Sequence, residues 1–218
     1  MQRTRAGRKS RLVRPAARRI FVPERMTMLR TVLQLGFCLV LSAGTAQLPE
    51  DFATNLAHMQ LDLLEPLDGD YQQKRVFDNA VQRFDYRLRS KYDDLDVRFL
   101  LLPYDARRPQ TTMPHVETGR IVMNLAVNEA EEVVAQRALS DEVLARTNAD
   151  WGMEFYLRPK PGFTENYVFT RVVSLYREGR GTVLMFVLFN DPGNRALDRT
   201  FDWLRFMDEP RPARAEPN

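Results

Sequence analysis

Residues 166–189 read NYVFTRVVSLYREGRGTVLMFVLF. The first half, Asn166 to Arg177, is rich in β-branched and aromatic residues, the types that fit a pleated, half-buried strand. The last part, Thr182 to Phe189, is apolar almost throughout, and an unbroken run of that length suggests a central strand covered on both faces. Between them Arg177-Glu178-Gly179-Arg180-Gly181 supplies a glycine-bearing hairpin turn. A central hairpin covered on both sides needs further strands beside it and a layer over each face, and the rest of the chain is read for them.

Upstream, Trp151 to Arg158 alternates Trp151, Met153, Phe155 and Leu157, which predicts a third antiparallel strand. Phe84, Tyr86 and Leu88 alternate with Asp85, Arg87 and Arg89, and Val97, Phe99 and Leu101 alternate with Arg98 and Leu100, with the polar turn Ser90 to Asp94 between. That pattern predicts another hairpin. Phe52, Leu56, Met59 and Leu63 lie on one stripe of a helix over 51–64, and a shorter helix is expected over 71–81. Pro103, Pro109 and Pro114 make 103–119 an extended loop, and 120–127 reads as a strand. Asn128 caps a helix that runs to Ala138, Ser140 starts a second one ending near Asn148, and a last helix runs from Asp191 to a stop at Pro210, with Leu197, Phe201, Leu204 and Met207 inward. The sum is an α+β protein with a mostly antiparallel sheet of about six strands flanked by helices, a single domain over 47–209 and a disordered tail over 210–218.

The N-terminus reads differently. The ten-residue apolar run 32–41, VLQLGFCLVL, follows Arg30 and precedes the small residues Ser42-Ala43-Gly44-Thr45-Ala46. Residues 26–46 therefore have the parts of a secretory signal peptide, with cleavage expected before Gln47. The run is shorter than the roughly 20 apolar residues of a spanning helix, so no permanent membrane span is expected after cleavage. Residues 1–25 form a basic extension that fits a start codon placed too early, with Met26 or Met28 as initiator; the alternative is an organelle presequence, since the stretch is rich in arginine and poor in acids. The expected location is outside the cytoplasm, periplasmic or extracellular.

This division also reassigns the charge. The chain of 218 residues carries 32 Lys/Arg against 29 Asp/Glu, but ten of the bases and one of the acids lie in residues 1–46, leaving 22 and 28, a net −6, for the folded part. The basic excess thus belongs to targeting, and nucleic-acid binding loses its support. Cys38, the only cysteine, also lies in the leader, so the mature chain is expected to have no disulfide, thiol nucleophile or thiolate metal site.

Catalytic chemistry has few candidates. The mature serines are Ser90, Ser140 and Ser174, none in a Gly-x-Ser-x-Gly elbow. His58 and His115 lack metal-ligand spacing, and the acidic group Asp93, Asp94 and Asp96 reads as a solvated hairpin turn. No catalytic residue is assigned, and neither a cofactor nor a metal site is expected. Arg107 and Arg108 in the proline-rich loop, with Arg158, Lys160, Arg177 and Arg180 at strand ends and turns, would hold an anionic ligand if those ends converge. Tyr156, Tyr167 and Tyr176 would mark a contact surface if they share a solvent-facing side.

From Arg120 onward the order of elements resembles the PsbP/Mog1-like α/β/α sandwich. The pieces are Ile121 to Val127 leading into the acidic helix at Glu129, Met153 to Leu157, the strands Tyr167 to Tyr176 and Val183 to Phe189, and the helix end Phe201 to Phe206. The likeness covers under half the chain and implies a non-catalytic assembly or binding protein, with no functional residue carried over. The expectation from the sequence is an exported binding or assembly module for an unknown protein or small ligand. The alternative is a hydrolase-like extracytoplasmic enzyme using carboxylates and arginines in a cleft beside the 103–119 loop.

Overall fold

An apolar strand needs partners on both edges and cover on both faces, and Gly181–Phe189 (β8) has all four, with every residue buried. In the computed structural model, which describes residues 48–64, 71–108, 112–128 and 133–207, β8 pairs with Asp96–Pro103 (β4) on one side and Phe169–Arg177 (β7) on the other. Outward from β4 lie Tyr86–Ser90 (β3) and Tyr71–Gln73 (β2); outward from β7 lie Trp151–Leu157 (β6) and Ala135–Ala138 (β5). The sheet has seven strands in the order β2-β3-β4-β8-β7-β6-β5, and every pairing is antiparallel. The α+β architecture read from the sequence is the architecture observed. The β7–β8 turn needs its glycines: Gly181 sits at φ +117, and a Cβ there would lie 2.2 Å from the Leu102 carbonyl oxygen.

The first face buries Val97, Phe99, Leu101, Val183, Met185 and Val187 under helix Glu50–Met59 (α1), whose Phe52, Leu56 and Met59 point inward. Phe52 stacks on Tyr86 at 4.6 Å between ring centroids. A two-stranded sheet of Leu61–Leu63 (β1) and Leu204–Phe206 (β9) completes this layer with helix Asp141–Thr147 (α3). The second face buries Leu100, Phe155, Val172, Leu184, Phe186 and Leu188 under helix Pro114–Leu125 (α2) and the single turn Pro161–Thr164 (α4). Thr118 of α2 and Ser174 of β7 share a buried hydroxyl hydrogen bond of 2.8 Å, which ties helix to sheet.

Several elements differ from their reading. The first helix ends at Met59, because Gln60 takes a left-handed cap (φ 48) and turns the chain into β1. Tyr71–Gln73 is a strand followed by irregular chain, not a helix; Asn79 pins that chain by donating to the Gly162 carbonyl at 2.8 Å. Pro114 opens a helix where a loop was expected, and of the expected strand 120–127 the residues 120–125 are the rest of that helix, with Ala126 in an isolated bridge to Pro159. Ile121, Val122 and Leu125 are buried at helical spacing, a pattern that also contains the alternation Ile121, Met123, Leu125. Ala135–Ala138 is an edge strand instead of a helix end, while the expected cap Ser140 does accept from the Val143 amide. The last helix is a single turn, Ala196–Arg199 (α5), continued as a 3-10 turn over 200–203 and then β9. The leader, the acidic helix start at 129–132 and the tail fall outside the described residues. Among the described residues no helix is long and apolar enough to cross a membrane.

Candidate anion-binding cleft

On β4, Asp96, Arg98 and Leu100 point to the second face, and on β3 Arg87 and Arg89 point there with them, because Arg87 pairs with Arg98 and Arg89 with Asp96 across the ladder. The alternating charges are therefore not a solvated side of the hairpin: Asp96 and Arg98 are fully buried. Asp96 is no part of a solvated acidic turn, since its carboxylate accepts from Arg87 Nε at 3.0 Å to both oxygens, and from Arg98 Nε at 3.4 Å and Nη2 at 3.3 Å. A carboxylate held by two guanidiniums is how a strand buries charge without leaving it unpaired.

Aromatic rings close the rest of the space around Arg98. Its guanidinium lies 4.7 Å from the Phe163 ring, 4.8 Å from Phe84 and 5.4 Å from Phe77, and it donates to the Phe163 carbonyl. Burial lowers the pKa of Arg98 from the ordinary guanidinium value. On Arg87 burial is again the largest influence and acts downward, but the hydrogen bonds and charges of Asp96 and Glu165 together outweigh it and raise the value.

Glu165 is the outer member of the network. It follows the single turn α4 at φ 58, ψ −89, a backbone region that side-chain-bearing residues rarely take. Its carboxylate accepts from Arg87 Nη1 at 3.2 Å and Nη2 at 3.1 Å, a two-oxygen, two-nitrogen fork, while 41% of its side chain stays exposed. On one side of Glu165 a cavity of about 400 Å³ is lined by Lys74, Arg75, Phe77, Arg87 and Arg89. On the other side lies a second one, also about 400 Å³, lined by Arg158, Thr164, Asn166, Tyr167 and Val168 among others. Counting Lys74, Arg75, Arg87, Arg89 and Arg98 against Asp96 and Glu165, this corner holds three surplus positive charges in a chain whose residues 47–218 carry net −6.

The residues proposed from the sequence as anion or partner contacts do not meet at one place. Arg158 and Tyr167 line the second cavity together, and Lys160 lies close by in sequence, donating to the Asn124 carbonyl at 2.6 Å. Arg177 and Arg180 lie at the opposite end of the sheet, where Arg177 bonds the Asn148 carbonyl and the Arg180 carbonyl accepts from the Tyr104 amide. The eight-residue step from Asp150, whose amide donates to the Tyr176 carbonyl, to Arg158 puts the two ends about 25 Å apart at strand rise. Arg107 and Arg108 sit with the far group, exposed in the turn after β4. Tyr156 is partly exposed beside the first face, Tyr167 is buried in the second core and Tyr176 is half-buried, so the tyrosines form no common surface. Lys74, Arg75, Arg87, Arg89 and Glu165 were not singled out. Arg87 and Arg89 showed only as the charge alternation of β3, and Lys74, Arg75 and Glu165, outside β3 and β4, had no such signal.

Other cavities are chemically different. The 103–119 region borders a small one of about 170 Å³, with Arg83, Asp105, Arg108 and Glu117. A larger one, about 720 Å³, lies between α1 and residues 73–76 and includes Asp51, Asn55, Lys74, Arg75 and Asp85. There burial raises the Asp85 pKa above the ordinary carboxyl value, against the lowering effects of the Leu101 amide, which donates at 2.8 Å, and of Arg83. Among the described residues no group of three His, Cys, Asp or Glu side chains is placed to hold a metal ion. Compared with known proteins, the chain matches no family model, no curated sequence and no solved structure.

Proposed function

We propose that this protein is an exported, non-catalytic binding module that recognises an anionic group, on a protein partner or a small ligand, at the cleft around Glu165. The observation that carries the reading is the fork of Glu165 on Arg87 in the midst of Lys74, Arg75 and Arg89. An internal carboxylate occupies the geometry that an incoming carboxylate or phosphate oxygen pair would take, and its own backbone is strained to do so. Displacing it costs little, because Glu165 is partly exposed and can be hydrated. Arg87 is meanwhile held in place by buried Asp96, so the donor is pre-organised. The PsbP/Mog1-like resemblance read from Arg120 onward implies the same class of activity, assembly or binding without catalysis, although its piece Ile121–Val127 is helical as far as Leu125.

The test uses inorganic phosphate as probe, titrated into the purified protein at low ionic strength and followed by NMR of the arginine side chains. Saturable binding is expected, weakened at least tenfold in Arg75→Ala/Arg89→Ala and strengthened in Glu165→Gln. Unchanged affinity in both variants would overturn the reading. Export is tested separately by N-terminal sequencing of the native protein, where Gln47 is the expected first residue.

A second reading is favoured by one observation: Asp85, with its raised pKa, lines a cavity of about 720 Å³ with Asp51, as a general acid in a hydrolase would. That cavity lies beside α1, not beside the 103–119 loop where the sequence placed the cleft. Hydrolysis of a chromogenic ester or glycoside that is lost in Asp85→Asn would favour the enzyme; none at any pH favours the binding module.

A further inference from the structure

A separate cavity of about 360 Å³ opens at the end of the sheet beneath the segment Asp191–Arg199, within the size range of small-molecule sites. Its walls are Tyr156, Leu157, Phe169, Phe189 and Leu197, and Phe169 and Phe189, opposite each other on β7 and β8, stack at 5.8 Å. At the rim stand one cation and one anion, Arg195 and Asp198, both exposed. They are three residues apart on a helical turn and so face the same side. Among the described residues neither is joined in an ion pair or side-chain hydrogen bond, while Asp198 acts electrostatically on buried Arg171 behind the wall.

The ground behind the wall is positive as well. Arg171 is fully buried, donates from Nη1 to the Leu197 carbonyl at 2.7 Å and from Nε to Glu154 at 3.1 Å, and its guanidinium lies 5.8 Å from the Tyr156 ring. Its Nη2 has no hydrogen-bond partner. Glu154 is shared with Arg137, so two guanidiniums face one carboxylate.

We infer that this cavity binds an apolar α-amino acid, its side chain between Phe169, Phe189 and Leu197, its carboxylate toward Arg195 on the positive side and its ammonium toward Asp198. An apolar cavity alone would accept any greasy molecule. Two opposite charges on one side of its mouth are complemented together by a ligand that carries an ammonium and a carboxylate on the same carbon. The site is independent of the Glu165 cleft, so either can fail without the other.

The experiment compares L-phenylalanine, 3-phenylpropionate and 2-phenylethylamine, which share the ring and differ in charge, by NMR titration of the full chain. Phenylalanine is expected to bind at least tenfold more tightly than either analogue. Arg195→Ala should bring phenylalanine down to the level of the amine, and Asp198→Ala down to the level of the acid. Both changes are at exposed positions, so folding is not at risk. Three probes of equal affinity, no saturable binding of phenylalanine, or variants that leave its advantage intact would each overturn the inference. Glu165→Gln, which acts on the other cleft, should not alter phenylalanine binding.

Discussion

The two faces of the sheet each carry one carboxylate between two guanidiniums, but the second buries both cations and the first only one. On the second face Asp96 joins Arg87 and Arg98, and on the first Glu154 joins Arg137 and Arg171; each time one carboxylate faces two guanidiniums. The surplus charge on the second face reaches the surface through Arg87, where Glu165 meets it. On the first face the deep partner Arg171 is sealed, with its guanidinium 3.6 Å from the Phe201 ring and one nitrogen without a hydrogen-bond partner. The outer partner Arg137 leaves 72% of its side chain in solvent. The networks therefore end differently: on the second face a further carboxylate, Glu165, meets the outer guanidinium at the surface, and on the first the outer guanidinium meets solvent.

This contrast sets the largest expected effect. Removing a carboxylate from a buried pair leaves its cations unpaired and costs about 3–5 kcal/mol. Asp96→Ala should sit at the top of that range, because both of its cations are buried, and Glu154→Ala lower in it, because Arg137 can rehydrate. Urea denaturation of the two variants measures the gap. If Glu154→Ala proves the more damaging, the two networks differ in some way other than access to solvent.

Glu165 gives a smaller effect, with opposite consequences for stability and binding. Replacement by glycine relieves a φ of 58, worth about 1 kcal/mol, and loses a partly exposed ion pair, worth up to about 1 kcal/mol. Stability should therefore change by less than about 1 kcal/mol, while phosphate affinity rises because Arg87 is vacated. A variant that loses several kcal/mol and gains no affinity would mean that Glu165 is a structural member like Asp96 and not an occupant of the cleft.

How much of this was legible depended on whether a residue's neighbours along the chain are also its neighbours in space. The strands β6, β7 and β8 were readable because their apolar pattern is long and their turn carries Gly179 and Gly181. Strands β2 and β5, YQQ and AQRA, have three and four residues and almost no apolar content; pairing with β3 and β6 makes them strands, and pairing is not local. Helix α2 was misread because β-branched Ile121 and Val122 mimic a strand. The site was hidden for a related reason. Alternation assigns Arg87, Arg89 and Arg98 to one side of a hairpin, but only the packing of Phe77, Phe84 and Phe163, from outside that hairpin, makes the side an interior. Asp96 beside Arg98 at i, i+2 was the one local hint, since opposite charges on the same side of a strand can neutralise each other. Glu154 and Arg171, 17 residues apart, gave none.

Asp85 sharpens the comparison from the other direction, as a desolvated carboxylate with no buried cation. Its ion-pair partner Arg83, at 3.4 Å, keeps 71% of its side chain in solvent, so burial dominates and the folded-state pKa lies above the unfolded one. The sign follows from proton linkage. Between the unfolded and the raised folded pKa the native state holds more protons, so this group lowers stability as pH rises through that window, and the penalty is complete above it. Below the ordinary carboxyl value both states are protonated and the penalty vanishes. Asp85→Asn keeps a carbonyl oxygen to accept from the Leu101 amide and removes the charge. It should therefore be more stable than the parent at pH 7, equal to it near the acid end, and free of this component of the pH slope. Thermal unfolding from acidic to neutral pH measures the difference. A variant less stable than the parent at pH 7 would mean that the charge on Asp85 is compensated after all, and the distinction between paired and unpaired buried carboxylates in this fold would fail there.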